Sequence, residues 1–309
     1  MSNNMTKSNI NTIGIVGSGF MGAQIGLHCA AYGYPVWLID SQENALEKTA
    51  QSHVQELDRR IEKQQITTDE KMDILNRLHL TTQMPEGLAN ADLVIEAVQE
   101  QLDIKREIFS QMDKICPSHT ILATNSSSIR ISAIEDATRR PAQLLNLHFY
   151  PPIWQRSMVE LMSGTLTSEE TIETVRQFAQ TVGLAPLRVG KESTGFIFNR
   201  VWRAIKKECL HLVDEGVASH EDVDRAWMIA NGAPIGPFGL MDMVGLDVVR
   251  DIEMVYYRES GDESDLPPKL LLNKIEKEEL GIKTGKGFYN YPNPVFQNTS
   301  WLRGSNDND

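Results

Sequence analysis

Apolar and polar positions from residue 12 to residue 40 follow a strand–helix–strand pattern. A short β-branched run, Thr12 to Val16, is followed by a glycine cluster and then by an amphipathic stretch. A second apolar run ends at Asp40. Short apolar runs on either side of a stretch with helical spacing are typical of a β-α-β unit. We therefore predict such a unit over these residues.

A pair of helices is predicted directly after this unit. Apolar residues recur at helical spacing over residues 42–63 and again over residues 67–78. Thr67 and Glu70 form a capping-box pattern at the start of the second stretch. The segment 42–78 is therefore expected to be a helical hairpin inserted into the alternation of strands and helices.

The alternation resumes after the hairpin and continues to residue 189. One of its helices is predicted to begin at a Thr167 cap, because Glu170 follows three residues later. The further strand candidates are residues 79–82, 92–97, 120–124, 144–148, 158–162 and 185–189. Strands that alternate with helices predict an α/β fold with a Rossmann-type, doubly wound and mostly parallel sheet.

The strand candidates stop at Gly190. Helical spacing covers residues 195–216 and much of 238–280, and Ser219 with Asp222 is typical of a helix start between them. We therefore predict an α/β domain over residues 1–190 and an all-α domain over residues 191–309. The polar residues from Asn298 onward have few apolar anchors, and we expect them to be frayed.

Composition and charge describe an ordinary globular chain and exclude some partners. The 309 residues are 41% hydrophobic and 23% charged. An excess of 42 Asp and Glu over 30 Lys and Arg gives a formal charge of −12. A surface of this sign repels phosphate backbones and anionic lipid. We expect neither a nucleic acid nor a membrane as a partner.

The cysteines and the first residues bear on metal binding and on location. Cys29, Cys116 and Cys209 are far apart and form no CxxC or Cys/His cluster. This spacing excludes a disulfide framework and a structural zinc site, and we expect no metal. The start MSNNMTKSN lacks a signal pattern, and we find no apolar run of the roughly 20 residues that span a bilayer. We expect a cytoplasmic protein.

The glycine cluster has the spacing of a dinucleotide-binding turn. Gly17, Gly19 and Gly22 form GxGxxG between a predicted strand and a predicted helix, with Phe20 and Met21 inside the motif. The first two glycines allow a tight turn and a close approach of the backbone to a pyrophosphate. Asp40 ends the second strand, where a carboxylate binds ribose hydroxyls and repels a 2′-phosphate. These residues predict NAD rather than NADP as the cofactor.

A nicotinamide-dependent enzyme that oxidises an alcohol needs a base for the hydroxyl proton and a group that orients this base. One histidine and one glutamate are candidates for these two roles. His148 ends one predicted strand and Glu160 lies in the next, with a Tyr-Pro-Pro turn after the histidine. Adjacent strands could bring the imidazole and the carboxylate into contact, as a general base and its orienting partner require. A structural role for each of the two residues is the alternative that spacing alone leaves open.

An ordered set of motifs resembles the NAD-dependent L-3-hydroxyacyl-CoA dehydrogenase family. The set spans roughly residues 12–291, and it is more specific than any one of its motifs. Its members are Asn125-Ser-Ser-Ser-Ile, His148-Phe-Tyr-Pro-Pro, Glu160, Ser193-Thr-Gly-Phe-Ile-Phe-Asn-Arg200, Gly232-Ala-Pro-Ile-Gly-Pro-Phe238 and Gly285-Lys-Gly-Phe-Tyr-Asn-Tyr291. The resemblance implies a Rossmann-type domain, a helical domain that forms a homodimer, a cleft between the domains and a part in fatty acid metabolism.

The resemblance also implies roles for single residues. His148 matches the catalytic base, Glu160 the residue that holds it, and Ser127 and Asn199 the groups that bind the C3 oxygen of the substrate. The residues that match positions around the cofactor, beyond the glycine motif and Asp40, are Glu100, Lys105 and Asn125. A solvated ion pair is the alternative interpretation of Glu100 and Lys105.

The chain departs from the family pattern beside the histidine. The family usually has Phe-Phe-Asn-Pro after it, whereas this chain has Phe-Tyr-Pro-Pro, so Pro151 replaces an asparagine. Trp202 and Arg203 follow Asn199 on the same side of a helix. They could form a narrow pocket with a cation for a small carboxylate, or Arg203 could be solvated or paired with a neighbour such as Glu208.

The family's CoA moiety packs against the two-helix insertion, which favours a CoA ester as the substrate. The segment 41–80 has six Lys and Arg against eight Asp and Glu, so its net charge does not indicate a binding site for the phosphates of CoA. We predict NAD-dependent oxidation of a short-chain L-3-hydroxyacyl-CoA. The alternatives are a dehydrogenase of a free hydroxy acid, similar to L-gulonate or L-carnitine dehydrogenase, and a non-catalytic NAD-binding scaffold of the crystallin kind.

Overall fold

The computed structural model describes residues 9–304, which fall into two units. The chain divides into Met1–Ile197 and Phe198–Asp309. The sequence places the boundary at Gly190 because the last strand ends there, but the following segment still belongs to the first unit. Phe196 packs with Met162 and Val189 in a small apolar cluster. The first residues, from which the location was predicted, lie mostly outside the described part of the chain, as do residues 305–309.

Strands and helices alternate through the described part of the first unit. The strands are β1 Ile13–Val16, β2 Val36–Ile39, β3 Leu78–Thr81, β4 Leu93–Glu96, β5 Ile121–Thr124, β6 Leu144–Phe149, β7 Met158–Ser163 and β8 Ala185–Val189. The helices are α1 Phe20–Ala31, α2 Glu43–Glu62, α3 Thr68–Asn76, α4 Met84–Leu88, α5 Leu102–Ile115 and α6 Glu169–Thr181. The short helix α4 was not predicted, because its five residues are too few to show a repeating helical pattern of apolar positions.

The eight strands form one sheet in the order β3-β2-β1-β4-β5-β6-β7-β8. Every neighbouring pair is parallel except β6 and β7, which are antiparallel. The predicted doubly wound, mostly parallel sheet is therefore confirmed. The strand order reverses between β1 and β4, and in such sheets ligands bind outside the carboxyl ends of the strands at this point.

The sheet is covered on both faces, which explains why its central strands read as continuous apolar runs. Ile13 and Ile15 belong to the core cluster on one face, whereas Val16 and Val94 belong to the cluster on the other. All four side chains are at most 3% exposed. Full burial of such a side chain contributes about 1.5–3 kcal/mol.

The second unit is helical, as predicted. Its helices are α7 Phe198–Asp214, α8 His220–Asn231, α9 Pro237–Val244, α10 Leu246–Ser260, α11 Lys269–Glu276 and α12 Thr299–Leu302. Helix α7 begins later than the predicted Gly195, because Gly195 and Phe196 have φ angles of 75° and 54° that no right-handed helix contains. A buried apolar cluster that includes Leu210 and Phe238 forms the core.

The prediction of a frayed end after residue 298 is wrong for the described residues. Trp301 in α12 is 8% exposed and belongs to the core cluster of the second unit. The guanidinium of Arg225 lies 4.5 Å from the centre of its ring, and Arg225 Nε donates a hydrogen bond to the Trp301 carbonyl at 3.0 Å. One aromatic anchor therefore holds a segment that is otherwise polar.

The predicted helix starts were partly right. Thr67 and Glu70 form the expected capping box at α3, and Ser219 caps α8. At α6 the cap is Ser168, whose hydroxyl accepts from Thr171 N at 3.1 Å. The predicted cap at Thr167 is wrong, because the hydroxyl of Thr167 donates a hydrogen bond to the carbonyl of Leu144 at 2.6 Å, at the start of β6.

Candidate active site

The glycine turn between β1 and α1 is packed so tightly that two of its glycines leave no room for a side chain. Gly17 has a φ of +99°, and a Cβ on it would lie 2.6 Å from the Ala97 carbonyl oxygen. A Cβ on Gly22 would lie 1.8 Å from the carbonyl oxygen of Gly17. A Cβ on Gly19 would meet nothing within 4 Å, so space lies beside the turn. This arrangement fits the close approach of a pyrophosphate to the backbone.

The N-terminus of α1 is suited to bind an anion through its backbone. Gly19 is the N-cap residue, and among the described residues no side chain caps this end of the helix. The side chain of Phe20 is 72% exposed, whereas Met21 packs against the core. Phe20 and Met21 therefore offer a phosphate only their N–H groups, and their predicted part in cofactor binding stays a prediction.

Asp40 follows β2 and lies beside the glycine turn. Its Oδ2 accepts hydrogen bonds from the backbone N and the hydroxyl of Ser18, both at 2.9 Å, and its Oδ1 accepts from Gln42 N at 3.0 Å. A carboxylate has about four acceptor positions. The side chain is thus fixed in orientation and retains capacity for a ribose hydroxyl.

A buried ion pair lies where β4 meets the loop to α5. Lys105 is 1% exposed, and its Nζ lies 2.7 Å from Glu96 Oε1 and 3.2 Å from Glu100 Oε2. Glu96 is fully buried and also accepts from Val98 N at 2.7 Å and from the Thr124 hydroxyl at 2.6 Å. The alternative of a solvated ion pair between Glu100 and Lys105 is therefore wrong. The donors of Lys105 are directed at protein acceptors, so a direct contact of this ammonium with the cofactor is not supported.

Glu100 connects this buried ion pair to residues 126–128 after β5, which we call the serine loop. Its Oε1 accepts from the backbone N of Ser128 at 3.1 Å, from the Ser128 hydroxyl at 2.7 Å and from the Ser126 hydroxyl. Burial alone would raise the pKa of Glu100, but the charge of Lys105 and the serine hydrogen bonds outweigh it, so this pKa lies below its usual value. The carboxylate is thus kept ionised and holds the loop on both sides of Ser127.

Ser127 and Asn125 differ in how the structure uses them. Ser127 is exposed, between two serines that bind Glu100. Asn125 is buried, and its Oδ1 accepts from Phe149 N at 2.9 Å, which ties the end of β5 to the end of β6. Ser127 is therefore available to a substrate, whereas the Asn125 side chain has a structural bond to maintain.

His148 and Glu160 are directly opposite each other on the antiparallel strands β6 and β7. His148 Nδ1 lies 3.2 Å from Glu160 Oε2, so the contact predicted from the sequence is confirmed. The fully buried Glu160 also accepts from the Tyr150 hydroxyl at 2.7 Å through Oε2 and from Ile197 N at 2.9 Å through Oε1. A carboxylate surrounded by donors receives the Nδ1 proton of the imidazole. This tautomer presents Nε2 as the basic nitrogen.

A cavity of about 570 Å³ lies beside the glycine turn, within the first unit. It is bounded by the turn itself, by one side of α1, by α2 from Ala45 to Glu56, and by Pro152 and Trp154 of the β6–β7 turn. The guanidinium of Arg60 lies 4.7 Å from the centre of the Trp154 ring and so joins this turn to α2. The helical hairpin predicted as an insertion therefore contributes a wall of the cavity.

The second unit holds the remaining predicted residues, and two of them have structural contacts there. Asn199 lies in the first turn of α7. The interpretation of Arg203 as a free cation for a substrate carboxylate is wrong, because its Nε lies 2.9 Å from Glu253 and its Nη2 2.6 Å from Asp265. Its partner is also not Glu208. Trp202 packs against the core cluster of this unit.

The described residues also bear on metal binding and on membrane insertion. In the described range 9–304, no group of three or more His, Cys, Asp or Glu side chains is arranged to hold a metal ion. Within the same range, no helix combines the length and the apolarity that crossing a membrane requires.

The sequence did not point to Glu96 or Tyr150. Glu96 is the last residue of a buried strand, and Asp40 directly follows another. An acidic residue at the carboxyl end of a strand was therefore a usable signal in the sequence. Tyr150 follows the predicted strand of His148, and its hydroxyl contact with Glu160 depends on the direction of a side chain in the turn, for which the sequence holds no motif.

The chain matches two family models that together cover most of it. Residues 12–193 match the NAD binding domain of 3-hydroxyacyl-CoA dehydrogenase, and residues 195–291 match the C-terminal domain of 3-hydroxyacyl-CoA dehydrogenase. A 3-hydroxybutyryl-CoA dehydrogenase of Clostridioides difficile is 36% identical over 90% of this chain and 99% of its own length.

Two solved structures give the same picture of the fold. The (S)-3-hydroxybutyryl-CoA dehydrogenase of Ralstonia eutropha superposes with a TM-score of 0.87 at 35% identity, over 92% of this chain and 100% of that chain. A diketoreductase, described as acting on dicarbonyl compounds, has a TM-score of 0.81 at 30% identity, over 91% of this chain and 99% of that chain.

Proposed function

The chain belongs to the 3-hydroxyacyl-CoA dehydrogenase family, and from this premise we propose that it oxidises the 3-hydroxyl of a short-chain L-3-hydroxyacyl-CoA, with His148 as the general base. Membership makes the protein an NAD-dependent oxidoreductase. The observation that carries the proposal is the contact of 3.2 Å between His148 Nδ1 and Glu160 Oε2. The two relatives named for 3-hydroxybutyryl-CoA support a short acyl chain.

The proton transfer follows from the tautomer of His148. Because Nδ1–H donates to Glu160, the lone pair of Nε2 can accept the proton of the substrate 3-hydroxyl. The carboxylate of Glu160 then stabilises the imidazolium that forms. The chemistry that NAD supplies when bound is acceptance of the hydride from C3. The exposed Ser127 hydroxyl is a suitable donor to the C3 oxygen, and for Asn199 the role implied by the resemblance stays a prediction.

The cavity beside the hairpin supports a CoA ester as the substrate. The resemblance implies that CoA packs against the helical hairpin, and α2 of this hairpin forms a wall of the cavity of about 570 Å³. Arg203 adds nothing in favour of a free acid, because its charge is already paired with Glu253 and Asp265. One specific observation favours a second candidate: the similar diketoreductase acts on dicarbonyl compounds, so a non-CoA carbonyl substrate is the alternative.

Spectrophotometric NADH assays with acetoacetyl-CoA, a free diketone and a panel of free hydroxy acids, run side by side, test the proposal. We expect the highest kcat/KM with acetoacetyl-CoA. A higher kcat/KM with a free compound would replace the CoA ester by that class. An absence of turnover with every compound would favour a non-catalytic NAD-binding protein.

We expect Asp40 to set the choice between NAD and NADP. The wild-type protein should prefer NAD, and Asp40→Asn should reduce that preference by about tenfold or more, or about 1.4 kcal/mol, because the charge that repels a 2′-phosphate is lost. The asparagine retains an acceptor oxygen for the Ser18 N–H. The measurement is kcat/KM with each cofactor, and equal use of both by the wild-type protein would contradict the prediction.

We expect the protein to be a homodimer that buries an apolar face of the second unit. Val248 and Ile252 lie four residues apart on α10 and are 41% and 36% exposed, and Val244 at the end of α9 is 47% exposed. An exposed apolar stripe of this kind is typical of an interface. Light scattering at micromolar concentration should report a dimer, and Val248→Asp should weaken it. Val295→Asp, at a residue 51% exposed elsewhere in the unit, is the control. A wild-type monomer would refute the expectation.

A further inference from the structure

The hydroxyl of Tyr150 binds the same carboxylate oxygen as His148. Tyr150 Oη lies 2.7 Å from Glu160 Oε2, and His148 Nδ1 lies 3.2 Å from that oxygen. Tyr150 is 4% exposed and Glu160 is fully buried. The two donors therefore share one acceptor in a site from which bulk water is excluded, where a hydrogen bond to a charged group is strong.

Tyr150 also contacts the imidazole itself. The rings of Tyr150 and His148 lie with their centres 4.4 Å apart in an edge-to-face arrangement. Phe196 packs against the imidazole as well, with ring centres 4.9 Å apart. The ring of Tyr150 thus restrains the histidine, and its hydroxyl restrains the glutamate. A phenylalanine, which the family pattern has at this position, would keep the first contact and lose the second.

The competition for Oε2 has an electrostatic consequence. A donor that binds a carboxylate oxygen draws part of its negative charge, so less of that charge stabilises a neighbouring imidazolium. The titratable groups with a described contact to the imidazole include Glu160 from β7 and Tyr150, which directly follows β6. Tyr150 therefore limits the negative charge that Glu160 offers to the imidazole while leaving the tautomer unchanged.

We propose that Tyr150 is a positioning residue that tunes the general base, because its hydroxyl binds the same oxygen of Glu160 as His148 and so limits the charge that this carboxylate offers to the imidazole. The inference rests on the proposed role of His148 and adds a residue to it. Tyr150 keeps its own proton throughout; the substrate proton goes to His148 Nε2 and from there to solvent.

The test is the pH profile of Tyr150→Phe, a variant that keeps the ring and removes one oxygen. We expect the acidic limb of the kcat/KM profile to move up by about half to one pH unit, because the donor that competes with the imidazole for Oε2 of Glu160 is then removed. The Kd for NADH, measured by fluorescence titration, should stay unchanged. Tyr34→Phe is the matched control, since it removes a hydroxyl that bonds Thr181 at 2.6 Å, between the α1–β2 turn and the end of α6, and its profile should coincide with that of the wild type.

A readout without turnover separates this inference from the proposed function. The titration of His148 can be followed by NMR of the imidazole carbon in wild-type protein and in Tyr150→Phe, with His148→Gln to assign the signal. We expect the midpoint to move upward in the variant. An unchanged or lower midpoint would overturn the proposal and leave Tyr150 a packing residue. If no hydroxyacyl substrate is turned over, the proposed function fails, and the NMR comparison still decides the inference.

Discussion

His148→Gln is expected to lower kcat at least about 100-fold, the loss typical of a general base. Glutamine can still donate a hydrogen bond to Glu160 but cannot accept the substrate proton at neutral pH. The Kd for NADH should be nearly unchanged, because the imidazole acts on the substrate rather than on the cofactor. Stopped-flow or steady-state NADH assays give kcat, and fluorescence titration gives the Kd.

Two further variants test the interpretation of this result. Glu160→Gln retains the shape of the side chain and loses its charge, and we expect a smaller fall in rate. His119→Gln is the control, because His119 is an exposed histidine that lies 2.9 Å from Asp92, at the amino-end edge of the sheet, away from the proposed site. Full activity of His119→Gln together with near-wild-type turnover of His148→Gln would show that the His148–Glu160 pair is structural.

Lys105→Met is expected to destabilise the first unit strongly. It removes the partner of Glu96, which is fully buried at 2.7 Å from the ammonium. A buried charge left without its partner costs about 3–5 kcal/mol of the free energy of unfolding. Urea unfolding followed by circular dichroism measures this loss. The serine loop held by Glu100 should also become less ordered, so kcat should fall as well.

A double substitution distinguishes the charge effect from the loss of packing. Adding Glu96→Gln to Lys105→Met removes the unpaired charge, and we expect it to restore most of the lost stability. Arg176→Met is the control, because Arg176 and Glu173 form an exposed pair on α6 and the urea midpoint should barely move. If Lys105→Met is as stable as this control, the buried pair contributes nothing to the fold.

The fold could be predicted because it depends on local patterns. The strand β4 reads as a continuous apolar run since both its faces are covered, and the capping box at Thr67 is complete within four residues. The α7 start and the anchored Trp301 were missed for the opposite reason. One depends on two positive φ angles and the other on a contact with Arg225, 76 residues away.

The candidate site was predictable to the extent that a motif or a resemblance marks it. Gly17, Asp40 and the His148–Glu160 contact belong to this group. The burial of Lys105 could not be read from the sequence, because a lysine in the first turn of a helix is usually solvated and only Glu96 explains why this one is not. Pairing of Arg203 was one of the two interpretations, but its partners could not be read from the sequence for a similar reason, since Glu253 and Asp265 are 50 and 62 residues distant in the chain.

The antiparallel register of β6 and β7 also determines which changes evolution can tolerate there. His148 faces Glu160 only while the two strands keep their pairing. A slip of one residue would bring Val159 or Leu161 opposite the imidazole and turn the glutamate to the other face of the sheet. The pairing of the two strands therefore keeps the base beside its carboxylate. Within the segment that connects them, Pro151 can take the place of the family's asparagine without separating the base from its carboxylate.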